Sequence, residues 1–165
     1  MIRDMVIIEY EHFIPTIEYA KDSSMRFYRV SNNGQTTWPP KVKEIKVFSD
    51  HGCSDQILAS YVKESGNNAG KDGSKAFDNE FDTFWRPQCK PTCAKNEAWL
   101  ILSTTEEAKC IDTFKLGKDA INGKTWNTGI EVEIQNDDCS WTTVMQSSNG
   151  NNATAQGTQL TIYST

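Results

Sequence analysis

The residues best suited to chemistry lie together in one stretch, Lys75-Ala76-Phe77-Asp78-Asn79-Glu80-Phe81-Asp82-Thr83-Phe84-Trp85. It sets Ala76, Phe77, Phe81, Phe84 and Trp85 among the carboxylates Asp78, Glu80 and Asp82. A solvated acidic loop has no use for so many large rings, since burying each is worth about 1.5–3 kcal/mol or more. A core strand does not tolerate so many carboxylates unless each is paired or metal-bound. A tight loop pinned to the core by its rings, with its oxygens turned toward one point, satisfies both demands. Oxygen ligands on a bent backbone suit a hard cation such as calcium. Neighbouring carboxylates also repel one another, and a divalent ion removes that repulsion. A second reading stays open: Asp78 caps a turn through its own backbone while Glu80 and Asp82 are simply solvated.

Such a loop needs a framework, and the rest of the chain reads as short strands. With 165 residues, one domain is expected. Runs such as Met25 to Val30, Val42 to Phe48, Ala98 to Leu102, Ile111 to Gly117, Gly129 to Ile134, Cys139 to Val144 and Leu160 to Thr165 are separated by Gly, Asn, Asp and Ser clusters. Almost nothing has helical periodicity, which predicts an all-β fold. Residues 1–15 are expected to form an extension or an edge strand.

A net charge of −5 disfavours nucleic acid and anionic membranes as partners. No apolar run approaches the roughly 20 residues that span a bilayer. Val6-Ile7-Ile8 is too short for the core of a signal peptide, so a secreted protein would have to be a mature chain or a fragment. The five cysteines (Cys53, Cys89, Cys93, Cys110 and Cys139) predict two disulfides and one leftover thiol, with a zinc site built on Cys89 and Cys93 as the alternative. The sequon Asn152-Ala153-Thr154 fits secretion. Nucleophile elbows, zinc-protease motifs and phosphate loops are absent, and only two histidines are present, His12 and His51. No enzyme is expected.

Ala76, Asp78, Thr83 and Trp85 fall at the spacing of the A-x-D-G-x-x-x-T-x-W signature of discoidin, or coagulation-factor type C, modules, which the chain resembles here. Asn79 replaces the usual Gly, and Asn is the next-best residue for a left-handed turn. The family is a branch of the galactose-binding-like β-sandwiches, so the resemblance implies a jelly-roll sandwich of about eight antiparallel strands, with Trp85, Trp99 and Trp141 in its interior. The order of parts departs from the family. Arg26 to Val30 and Lys43 to Phe48 resemble the strands that end such a module, yet they precede the signature. Thr161 to Thr165 echoes Thr16 to Ala20. A permuted module or a piece of a tandem array is therefore expected. Residues 16–165 would form one sandwich, in which 16–50 supply the closing strands and 51–165 the body.

The resemblance also implies a site. A structural calcium ion would sit under the signature loop, held by Asp78, Thr83, the Lys75 carbonyl and a polar group near Glu80, with Glu44 completing it. Ligand contact would fall to the loops around it, with His51, Tyr61, Arg86, Gln88, Trp38, Trp126 and Asn127 as candidates. Sugar recognition needs an aromatic face together with planar donors and acceptors. The expected function is a calcium-stabilised, lectin-like carbohydrate-binding module, extracellular, recognising glycans or glycoproteins. The alternative is an adhesive protein–protein module that meets its neighbours in a repeat array. Lipid binding is disfavoured because these loops are mainly Asn, Gly, Lys and Asp.

Overall fold

Runs of β-branched and aromatic residues become strands wherever turn-forming clusters bound them. The structure, a computed structural model, describes residues 24–35, 41–89, 91–115, 130–146 and 159–163. These carry nine strands: β1 (Arg26–Asn32), β2 (Val42–Phe48), β3 (Gln56–Ile57), β4 (Ser60–Glu64), β5 (Trp99–Thr104), β6 (Cys110–Lys115), β7 (Ile130–Gln135), β8 (Trp141–Gln146) and β9 (Gln159–Tyr163). The only helical element among them is a 3₁₀ turn at Gly73–Ala76. Residues 1–15, the Thr16-to-Tyr19 segment, Trp38, Trp126, Asn127 and the sequon lie outside the described residues.

The strands form two antiparallel sheets, one ordered β4-β5-β1-β7-β8 and the other β3-β2-β6-β9. β1 lies between β5 and β7, where Val30 faces Leu100 on one side and Val132 on the other. β2 lies between β3 and β6. Tyr28, Val30, Leu100, Leu102, Ile130 and Val132 of the first sheet share one buried cluster with Val42, Ile45, Val47, Ile57 and Ile111 of the second. The two sheets therefore pack face to face around one core, in a sandwich-like arrangement. Inside it, the Tyr28 hydroxyl accepts a hydrogen bond of 2.9 Å from the Ala108 amide.

The other face of the five-stranded sheet buries the polar residues Arg29, Glu131 and Glu133 beside Ile101. Arg29 donates two hydrogen bonds, of 2.6 and 2.7 Å, to Glu133 and lies 4.8 Å from the centre of the Trp141 ring. Glu131 accepts from the Thr143 hydroxyl at 3.0 Å and pairs with Lys95 at 3.1 Å. Two of the three tryptophans expected in the core are not part of it. Leu100 and Leu102 take the core side of β5, so alternation turns Trp99 away and leaves it half-buried. Trp141 covers the Arg29 guanidinium instead of filling the interior. Only Trp85, 2% exposed, is a core residue.

Two disulfides form. Cys53–Cys110 ties the β2–β3 turn to the start of β6, and Cys89–Cys93 closes a small loop. Cys139, in the β7–β8 turn, is the remaining thiol. A zinc site on Cys89 and Cys93 is excluded, because a disulfide has no thiolate to offer a metal. The same holds for the grouping of Cys53 and Cys110 with Asp112. Among the described residues no helix is long and apolar enough to cross a membrane. The disulfides suit an oxidising, extracellular compartment.

Candidate functional site

The signature stretch is fastened at its two ends. Trp85 exchanges backbone hydrogen bonds of 2.8 and 3.0 Å with Val42 at the start of β2. At the other end the 3₁₀ turn is capped by Asp72, which accepts from the Ser74 amide at 3.0 Å. Gly73, the first residue of this turn, packs so tightly that a Cβ there would lie 2.4 Å from Leu100 and 2.5 Å from Tyr61. Ala76 is fully buried and Phe77 packs on the core, its ring centre 6.5 Å from that of Tyr61. The two middle rings do something else. Phe81 is 45% exposed and lies under the Lys46 ammonium at 5.8 Å. Phe84 has Lys41 at 5.5 Å and Lys71 at 5.1 Å from its centre. These rings meet lysine ammonium groups instead of entering the core.

The reason lies in β2. Its pairing with β6 slips between Val42 and Glu44. This bulge resets the alternation, so Val42, Ile45 and Val47 all face the core. Glu44 and Lys46 are left on the opposite face, where the stretch folds over them. Glu44 is consequently 1% exposed although it does not enter the apolar core.

Over Glu44 the oxygens converge. The Thr83 hydroxyl lies 2.8 and 3.0 Å from the two carboxylate oxygens of Asp78, 3.0 Å from the Glu80 carbonyl and 3.4 Å from the Lys75 carbonyl. A hydroxyl has one proton to give, so it can satisfy only one of these four acceptors at a time. Asp78 also accepts from the Glu80 amide at 3.0 Å, which is the turn-capping role. Asn79 takes φ 59°, the left-handed conformation that the turn requires. Glu44 hydrogen-bonds to Asp78 and accepts from the backbone amides of Glu80 and Asn79. Its Oε1 is buried with no hydrogen-bond partner. The side chains of Glu80 and Asp82 are exposed, so Glu80 offers the cluster its carbonyl and not its carboxylate.

The electrostatics follow from this crowding. Burial first, and then the Asp78 charge beside it, pushes Glu44 up to about 7. Burial works in the same direction on Asp78. The Thr83 hydroxyl, the Glu80 amide and Lys75 (3.8 Å away) outweigh it and hold Asp78 below the usual carboxylate range. Below about pH 7 the pair therefore shares one proton, held on Glu44. Lys75, Asp78, Glu80 and Thr83, with Glu44, present a donor set made entirely of oxygen. The buried, unpartnered Glu44 oxygen fits a calcium ion, which takes six to eight oxygens at about 2.3–2.6 Å.

The candidate ligand residues separate into groups. Arg86 and Gln88 lie beside the loop that follows β4. The Asn68 amide donates to the Arg86 carbonyl at 2.9 Å, the Arg86 amide donates to the Lys71 carbonyl at 2.9 Å, and Gln88 lies against Gly66, which has φ 127°. Tyr61 is close by, and its hydroxyl is pushed up to about 12 by burial and then by the Glu64 and Asp72 charges. Buried atoms of this loop pair lack partners: Arg86 Nε, Asn68 Nδ2 and Glu64 Oε2. Composition alone had not singled out Glu64 and Asn68. Their adjacency to Arg86 depends on pairing between two distant loops.

His51 is not brought to this group. It lies past the end of β2, in a turn held by Asp50, which accepts from the Gly52, Ser54 and Asp55 amides at 2.8–3.0 Å. Arg86 follows Trp85, which is bonded to Val42 at the start of the same strand. Seven residues of strand, roughly 20 Å, separate the two ends.

Comparison with known proteins gives no relation to build on: no family model matches the chain, and no curated protein or solved structure matches it significantly.

Proposed function

We propose that this chain is a calcium-stabilised, non-enzymatic carbohydrate-binding module of the galactose-binding-like, discoidin-like kind, acting outside the cell on glycans or glycoproteins. The observation that carries the reading is the meeting of Glu44 with Asp78 and Thr83. Two stretches far apart in sequence supply one oxygen cluster with a buried, unpartnered acceptor. Lys75, Asp78, Glu80, Thr83 and Glu44 would hold the ion. Its contribution would be charge neutralisation, which fixes the loop and the strand beneath it. The polar groups of the Tyr61, Arg86 and Gln88 region, preset in pairs of adjoining loops, suit hydroxyl recognition because a guanidinium and amides offer planar, directional donors.

A glycan array probed with the intact chain in calcium, and again in chelator, tests this reading. Binding to a defined set of glycans that weakens in chelator is expected. No glycan bound under either condition would overturn it.

A further inference from the structure

Cations gather where the signature stretch ends, although the chain as a whole carries a net charge of −5. Val42 and Trp85 exchange backbone hydrogen bonds in an antiparallel bridge, which sets Lys41, before Val42, opposite Arg86, after Trp85. The Arg86 amide also donates to the Lys71 carbonyl at 2.9 Å. Three separate segments thus bring Lys41, Lys71 and Arg86 to one place. The half-buried Phe84 ring holds two of them, with the Lys71 and Lys41 ammonium groups 5.1 and 5.5 Å from its centre. Like charges on a single ring repel each other. The nearby carboxylates do not relieve this. Asp72 caps the 3₁₀ turn through Ser74, and Glu64 accepts from the Asn67 side chain at 2.7 Å. Among the described residues no carboxylate lies within ion-pair distance of Lys71 or Arg86. Arg86 Nε is buried with no hydrogen-bond partner, so the protein supplies no acceptor for it.

We infer that this cationic corner receives the carboxylate of an acidic sugar, a uronic acid residue within a glycan, on Lys41, Lys71 and Arg86. The inference rests on the glycan-binding reading and names the sugar class for it. The charges select that class. A carboxylate offsets the repulsion between the lysines, and its two oxygens match the planar guanidinium fork. A neutral sugar would leave both the repulsion and the guanidinium unanswered. The sugar's hydroxyls would meet Asn68, whose amide donates to the Arg86 carbonyl and whose Nδ2 has no partner. A lipid surface would ask for protruding apolar side chains beside the cations, whereas Phe84 is half-buried. The overall negative charge does not oppose the binding, because exposed charges more than roughly 8 Å apart are largely screened at physiological salt.

The test uses the full, isotopically labelled chain with calcium, observed by NMR while methyl β-glucuronide, methyl β-glucoside or sodium acetate is added. The glucuronide should produce saturable shifts of the Lys71 and Arg86 backbone amides and of the Arg86 Nε–H, weakening as salt is raised. Lys71→Gln, at an exposed position, should leave Tm unchanged and weaken that isotherm by roughly fivefold. Acetate acting on the same resonances with equal affinity would reduce the corner to a site for any anion and overturn the sugar assignment. Saturable shifts from the glucoside as strong as those from the glucuronide would overturn the acidic class and leave the glycan reading standing. An absence of shifts with all three would also overturn the inference, and the array then judges the glycan reading separately.

Discussion

Burial takes Glu44 away from water, and the fold then sets a second carboxylate against it; both changes favour its protonated form. Its pKa in the folded chain, about 7, exceeds the ordinary 4.5. The sign of the linkage follows: between these values the folded state binds more protons than the unfolded one, so stability falls as pH rises from about 4.5 to 7. The full effect is on the order of 3 kcal/mol. Urea melts of the calcium-free protein at a series of pH values should show this decline, and Glu44→Gln should flatten it. A wild-type profile that is already flat would contradict the Glu44–Asp78 pairing. At this scale the sequence was partly legible. Asp78, Asn79 and Thr83 stood out by type and spacing, and Glu44 through the strand pattern of a resembling family. The exposure of Phe81 was not legible, because a bulge at Val42 and Glu44 decides which face of β2 the loop covers.

At the scale of elements, the signature loop is only as fixed as the turn that begins it. Gly73 has no room for a side chain against Leu100, Tyr61 and Glu64. Gly73→Ala is therefore expected to lower stability by about 1–3 kcal/mol through overpacking. Thermal melts would show it, and an unchanged Tm would contradict the packing described. The same substitution should weaken calcium binding, since Lys75 lies within that turn. The cysteines make a second prediction: thiol titration of the unfolded, unreduced chain should find one reactive group, Cys139. An odd count of cysteines made a leftover thiol legible. Their pairing was not, because Cys53 meets Cys110 only through the register of β2 with β6. Seven of the nine described strands were readable as runs between turn clusters, whereas the short β3 and the polar β4 were not. The tryptophans misled, since Trp99 and Trp141 belong to an outer face with buried polar residues, which a core-and-surface reading does not anticipate.

For the whole molecule, the early strands are structurally central. β1 and β2 occupy interior positions of their sheets, so a fragment of residues 51–165 would lose a strand from the middle of each. Such a fragment is expected to lack a cooperative unfolding transition, and far-UV circular dichroism during heating would reveal it. All-β character followed from local pattern, whereas the two-sheet sandwich was an expectation of the resemblance. The neighbour relations, β1 between β5 and β7 in particular, depend on pairings across about a hundred residues that local pattern does not encode.

The proposal that early and late parts of the chain build one cation pocket is tested most directly by isothermal titration of calcium into the metal-free intact chain at neutral pH. The prediction is one site per chain, with affinity lowered on the order of tenfold or more in Glu44→Gln, because one charged ligand is lost. Absence of calcium binding at millimolar concentration, or equal affinity in the wild type and Glu44→Gln, would contradict it.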